Sequence, residues 1–63
     1  MTEEIWRLPR VIAITGMGRS WIYKAILDGR FPAPVKLGDR AVGWKRFEVE
    51  AWRNARPRKE PKR

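Results

Sequence analysis

The chain contains no cysteine and no histidine. Disulfide bridges and the usual Cys/His zinc sites are therefore excluded, and packing alone must hold the fold. The same absences, with Ser20 as the only serine, remove the common nucleophiles and proton shuttles of covalent and acid–base catalysis. The seven acidic residues are scattered, with no spacing that suggests a metal site or a glycosidase pair. Gly16, Gly18 and Gly29 do not form a phosphate loop, which needs a Gly-Lys-Ser/Thr ending. No apolar run approaches the length of a membrane span, and Met1–Arg10 lacks the apolar core of a signal peptide. These absences predict a soluble cytoplasmic protein that is not an enzyme and takes no cofactor, metal, membrane or small-molecule ligand.

Negative charge is also scarce. Fifteen Lys and Arg face seven Asp and Glu, for a net charge of +8. A small basic chain of this kind suits polyanions, chiefly nucleic acid, with ribosomes and acidic membrane surfaces as rivals. Residues 53–63 hold six basic groups and one acid, whereas residues 1–52 hold nine and six. The excess is concentrated in the tail. At 63 residues there is room for one domain, and a domain of this size buries only about 60% of its unfolded surface.

The most informative stretch is Val11–Gly29, which reads as two short helices joined by a tight turn. Val11, Ile12 and Ile14 give the first helix an apolar side, and Pro9 suits its first turn, where a missing N–H costs nothing. Gly16 stops it in the left-handed conformation. Met17 is placed to plug the corner, and Gly18 is a usable N-cap. The second helix, 19–28, buries Ile22 and Ile26, four residues apart, and ends at Gly29. Arg19, Ser20, Tyr23 and Lys24 fall off that stripe, with Trp21 at its edge. A helix-turn-helix presents the first two turns of its second helix to the DNA major groove. The bland alternative is a helical hairpin with a solvated polar face.

Before this stretch, Ile5-Trp6-Arg7-Leu8 reads as a short extended segment with Leu8 and Trp6 covering the core. After it, Arg30-Phe31-Pro32-Ala33-Pro34 cannot be helical, because its prolines fix φ and push their predecessors towards extended backbone. Phe31 is expected to anchor this connection. Val35-Lys36-Leu37 alternates as a half-buried strand does, Gly38-Asp39-Arg40 supplies a turn, and Ala41–Trp44 returns as its partner. The product is a β-hairpin, or wing, offering Lys36 and Arg40 to phosphate or to the minor groove. From Arg46 to about Ala55 the pattern is helical again. Phe47, Ala51 and Ala55, with Val49 and Trp52, are expected to form one broad apolar side over the hairpin. Pro57 breaks this helix. The remainder has no apolar residue to bury and is expected to be a disordered arm, whose Arg58, Lys59, Lys62 and Arg63 attract phosphate.

Arg7-Leu8-Pro9, Thr15-Gly16, Arg19-Ser20-Trp21-Ile22-Tyr23-Lys24 and Gly29–Gly38 occur in order. Arg40-Ala41-Val42-Gly43-Trp44 and Glu48-Val49-Glu50-Ala51-Trp52 follow. Over about residues 7–53 the chain resembles the AlpA family of small phage and prophage regulators. The resemblance implies a winged helix of the MerR/excisionase-like kind that binds DNA without a cofactor. Such proteins regulate transcription of mobile-element genes or bend DNA as excisionases. Gly18 and Phe47 stand where the family often has serine, which bears on helix capping. Trp21 stands where a small polar residue is common, which bears on the target sequence.

The expectation is thus a mainly α fold with a small β-hairpin, a winged helix-turn-helix over residues 5–56, followed by a basic tail over 57–63. Its expected function is sequence-specific transcriptional regulation in a phage or prophage, on double-stranded DNA of the nucleoid, with RNA polymerase or a recombinase as a further partner. The first alternative is an excisionase that bends DNA for a recombinase. The second is a small RNA- or ribosome-binding protein using Trp6, Trp21 and Tyr23 for stacking.

Overall fold

Two left-handed glycines and a proline-rich link cut the chain into its elements. The structure is a computed structural model in which residues 3–57 are described. Along the chain run β1 (Ile5–Trp6), α1 (Leu8–Thr15), α2 (Arg19–Leu27), β2 (Val35–Lys36), β3 (Val42–Lys45) and α3 (Arg46–Asn54).

Helix α1 begins after Arg7, whose extended backbone lets Pro9 occupy the first turn. It ends at Gly16, where φ is +75° and the N–H donates to the Ile12 carbonyl at 2.9 Å. The corner has a second fastening. The Thr15 hydroxyl donates to the Val11 carbonyl at 2.8 Å and accepts the Met17 N–H at 3.2 Å. Met17 is half-buried against the core, as its corner position demands. Helix α2 starts after Gly18, also extended and without a side-chain cap. Its end is a Schellman arrangement: the Gly29 N–H donates to the Ile26 carbonyl and the Arg30 N–H to the Ala25 carbonyl. Gly29 has φ +75°, which few residues but glycine adopt cheaply. Ile22 is wholly buried as expected, but its companion is Ala25, and Ile26 is only half-buried. Three residues on from Ile22 lies closer to the core axis here than four, and the small alanine lets the helix approach.

The expected hairpin is present and is part of a larger sheet. β3 pairs antiparallel with β2 (Val35 with Gly43, Lys36 with Val42) and with β1 (Ile5 with Lys45, Trp6 with Trp44), in the order β1-β3-β2. The extended start of the chain is therefore a third strand. Gly43 is what lets the three strands close up. A side chain there would collide with Ile5 of β1 and press on Leu37 after β2.

The core consists of Trp6, Val11, Ile22, Ala25, Phe31, Trp44 and Val49. The proline-rich link has no regular structure, and two indoles hold it instead. Trp44 Nε1 donates to the Pro32 carbonyl at 2.9 Å, and Trp52 Nε1 to the Arg30 carbonyl at 2.8 Å. Phe31 between them is 5% exposed, so it is the anchor expected of it.

Helix α3 departs from the expected broad apolar side. Val49 is buried and Trp52 half-buried, but Ala51 and Ala55 are exposed and Phe47 is 58% exposed. At about 100° per residue, Phe47 and Ala51 each lie about 200° from Val49, whereas Trp52 lies about 60° from it. One face cannot hold both sets. β3 runs directly into the helix, and the Arg46 N–H donates to the Glu4 carbonyl at 2.9 Å, so the start of α3 is clamped to β1. That clamp leaves Val49 and Trp52 inward.

Candidate nucleic-acid interface

The outward side of α2 carries four of the five residues singled out on it. Arg19, Ser20, Tyr23 and Lys24 are exposed on a short helix whose other side is sealed by Ile22 and Ala25. Tyr23 is the least open of them, at 37%. Its ring leans on Trp44, centroids 6.5 Å apart and planes 59° inclined, and the Arg19 guanidinium lies over it at 6.0 Å. Lys24 is in the last turn of the helix, where the dipole favours a cation.

The fifth residue, Trp21, turns towards α3. It is half-buried, edge-on to Phe31 at 6.4 Å and to Trp52 at 5.9 Å, while Phe31 and Trp52 meet at 4.9 Å. The Arg30 guanidinium covers it at 5.8 Å. Its bulk thus joins α2 to α3 through an aromatic cluster. Lys36 is exposed at the end of β2 and Arg40 in the turn that follows. That turn is closed by the Leu37 and Gly38 N–H groups, both donating to the Ala41 carbonyl. Arg58, Lys59, Lys62 and Arg63 lie outside the described residues.

Charge pairing separates the basic residues into two sets. Eleven of them lie within residues 3–57. Among the described residues only Arg30 and Arg46 meet a carboxylate: Arg30 meets Asp28 at 3.2 Å, and Arg46 meets Glu4 at 3.0 Å and Glu50 at 3.1 Å. Arg46 also lies over Trp6 at 5.9 Å. The Glu4 carboxyl is held below its ordinary value, first by the neighbouring Trp6 indole and then by the Arg46 guanidinium. Glu50 and Glu4 in turn raise Arg46. No described carboxylate engages Arg19, Lys24, Lys36 or Arg40.

Two further basic residues stand on aromatic rings without having stood out in the sequence. Arg10 rests on Trp6 at 5.3 Å and Arg56 on Trp52 at 4.7 Å, both exposed. Each follows its tryptophan by four positions, but Trp6 lies in β1 and Arg56 beyond the end of α3, so no helical spacing marked either pair in the sequence. Among the described residues no cluster of acids could hold a metal, and no helix is long and apolar enough to cross a membrane.

The family model described as prophage CP4-57 regulatory protein (AlpA) matches residues 4–57. The chain is 44% identical over 50 residues to the uncharacterized protein ORF88 of Enterobacteria phage P4, a match covering 79% of this chain and 57% of that protein. It is 40% identical over 59 residues to the Escherichia coli K12 protein named DNA-binding transcriptional activator AlpA, covering 84% of each. The chain thus spans little more than half of the phage relative and most of the bacterial one. No solved structure matches it. With its family model matched from Glu4 to Pro57, this chain belongs to the AlpA family of prophage regulatory proteins.

Proposed function

We propose that this protein is a winged helix-turn-helix regulator of prophage genes that binds double-stranded DNA, with α2 in the major groove and the β2–β3 turn against the backbone beside it. The observation that carries the reading is the outer side of α2. Arg19 and Lys24 stand there with no described acid partner, beside a serine hydroxyl and a supported tyrosine, on a helix too short to do more than line a groove. A helix carrying such donors meets base edges at its N-terminal turns, and cations further along meet phosphates. Lys36 and Arg40 supply the same attraction from the wing. Arg58, Lys59, Lys62 and Arg63 are proposed to add phosphate contacts. Trp21 is assigned any contact its exposed edge reaches, secondary to its packing. The bacterial relative is named a DNA-binding transcriptional activator, which favours regulation over excision. The RNA-stacking alternative loses support because Trp6 is 6% exposed and Trp21 half-buried. The protein would act in the cytoplasm, on the nucleoid, without a catalytic step.

Selection of bound sequences from a random duplex library tests the reading. A recovered motif, bound by duplex DNA in preference to single-stranded RNA of the same sequence, is the expected result. Neutralising Arg58, Lys59, Lys62 and Arg63 together should then weaken all sequences about equally. The slope of log affinity against log salt should flatten by about 0.9 for each phosphate that the arm no longer neutralises. Equal binding to every duplex, or preference for RNA, refutes sequence-specific regulation.

A further inference from the structure

Three side chains form a column from the core to the outer side of α2. Trp44 is wholly buried and fixed by its hydrogen bond to the Pro32 carbonyl. Tyr23 leans on it, and the Arg19 guanidinium lies over Tyr23. Long side chains on a helix lean towards its N-terminus, so a ring at position 23 comes over the turn that holds position 19. Arginine normally loses much rotamer freedom when it is fixed by a ligand. Here the Tyr23 ring already stands 6.0 Å from the guanidinium carbon and limits where it can go, while no described side chain takes up its N–H donors, which a cation–π contact leaves free.

The chemistry of that fork narrows its partner. Two parallel donors need two acceptors in one plane. In the major groove guanine offers O6 and N7, adenine pairs an acceptor with a donor, and cytosine offers a donor. We infer that Arg19 reads a guanine through its O6/N7 edge and that Tyr23 is the positioning residue that makes this reading selective, without reading a base itself. The inference rests on the proposed entry of α2 into the major groove. Arg19 is the first residue of that helix, where recognition helices meet base edges. Lys24, a compact charge without a fork and one helical turn further along, is left to phosphate.

The test uses the full chain and the duplex recovered by selection, with each guanine replaced in turn by 7-deazaguanine, which lacks N7. One guanine should weaken binding about tenfold when so replaced, as removal of one hydrogen bond to a charged donor does. Arg19→Ala and Arg19→Lys should each lower the preference for that guanine by roughly ten- to a hundredfold, and should abolish the 7-deaza effect there. Tyr23→Leu should lower it nearly as far, Tyr23→Phe should keep it within about twofold, and Arg19→Ala/Tyr23→Leu should be no worse than Arg19→Ala. Thermal unfolding of each variant separates impaired reading from an impaired fold. Should Tyr23→Leu prove unfolded, Tyr23→Phe and the 7-deaza response of Arg19→Lys still decide the assignment. Three results overturn it within a sequence-specific protein: guanine preference intact in Arg19→Ala, preference intact in folded Tyr23→Leu, or preference abolished in Tyr23→Phe. A selection that recovers no motif refutes the DNA-reading proposal itself and the guanine assignment with it.

Discussion

Helices α2 and α3 are both nine residues long, both begin with arginine and neither has a side-chain N-cap. Four positions after its arginine, α2 has Tyr23 and α3 has Glu50. At that spacing the two side chains of a helix meet. In α3 the acid accepts from Arg46 at 3.1 Å, Glu4 joins from the start of the chain at 3.0 Å, and the guanidinium becomes a strut between β1 and α3. In α2 the ring supports Arg19 from beneath and neutralises nothing. One arginine is thereby paired with acids at the surface of the fold, while the other meets no carboxylate among the described residues. The residue one turn on decides which.

The largest expected effect comes from removing what α2 leans on. Trp44→Ala deletes a wholly buried indole and its hydrogen bond to the link, and should cost about 3–5 kcal/mol. In a domain this small that leaves much of the chain unfolded at 37 °C, visible in urea denaturation. Trp52→Ala, at a half-buried site, should cost less. Equal costs would mean that the α3 side of the core matters as much as the α2 side.

Making α2 resemble α3 tests the contrast between the two arginines. Tyr23→Glu places an acid where Glu50 stands relative to Arg46. Arg19 should then be pinned and neutralised, and affinity for the selected duplex should fall by roughly ten- to a hundredfold, the range that one bidentate hydrogen-bonded pair to a base commands. Fluorescence anisotropy titration reads this directly. Unchanged affinity would remove Arg19 from the interface.

A third pair probes the two sides of α3. Val49→Ala should lower the unfolding free energy by about 2 kcal/mol, because its side chain is fully buried. Phe47→Ala should stay within about 0.5 kcal/mol, because its ring faces solvent. The reverse order, in the same denaturation experiment, would turn the helix over.

The smallest effect concerns the strut. Glu4 titrates below its ordinary value of 4.5 in the folded chain. Its contribution is therefore fully present above the unfolded value and disappears as pH falls through the lower folded one. Thermal melts should show the wild type slightly above Glu4→Gln at pH 7, with the gap closing as pH drops below about 4.5. A gap that widens towards acid would reverse the sign of the coupling.

Local chemistry made much of this molecule legible in the sequence. Pro9 in a first turn, Gly16 and Gly29 with positive φ, the unhelical Arg30–Pro34 link and the Gly38-Asp39-Arg40 turn each act within a few residues. Backbone sterics at such positions hardly depend on the rest of the fold, so element order and most boundaries could be read directly. The exposed residues of α2 were legible for a similar reason, since Ile22 already defined the inward side.

What the sequence by itself determined, then, is where the helices and turns lie, the excess of positive charge, and which side of α2 meets the outside. Tertiary structure alone decided the rest. Ile5–Trp6 became a strand because β3, some 40 positions away, offers it an edge. Phe47, Ala51 and Ala55 turned outward because Arg46 is clamped to Glu4, and a helix with two candidate apolar sides takes its rotation from what it is joined to. Trp21 and Trp52 were drawn together over Phe31, and their partners lie on three different segments. For Arg46 the local partner Glu50 could be read from its spacing, but Glu4, 42 positions away, is brought to it only by the fold. Hydrophobic period and charge are properties of one segment, but burial, pairing and neutralisation belong to whatever the fold sets beside it.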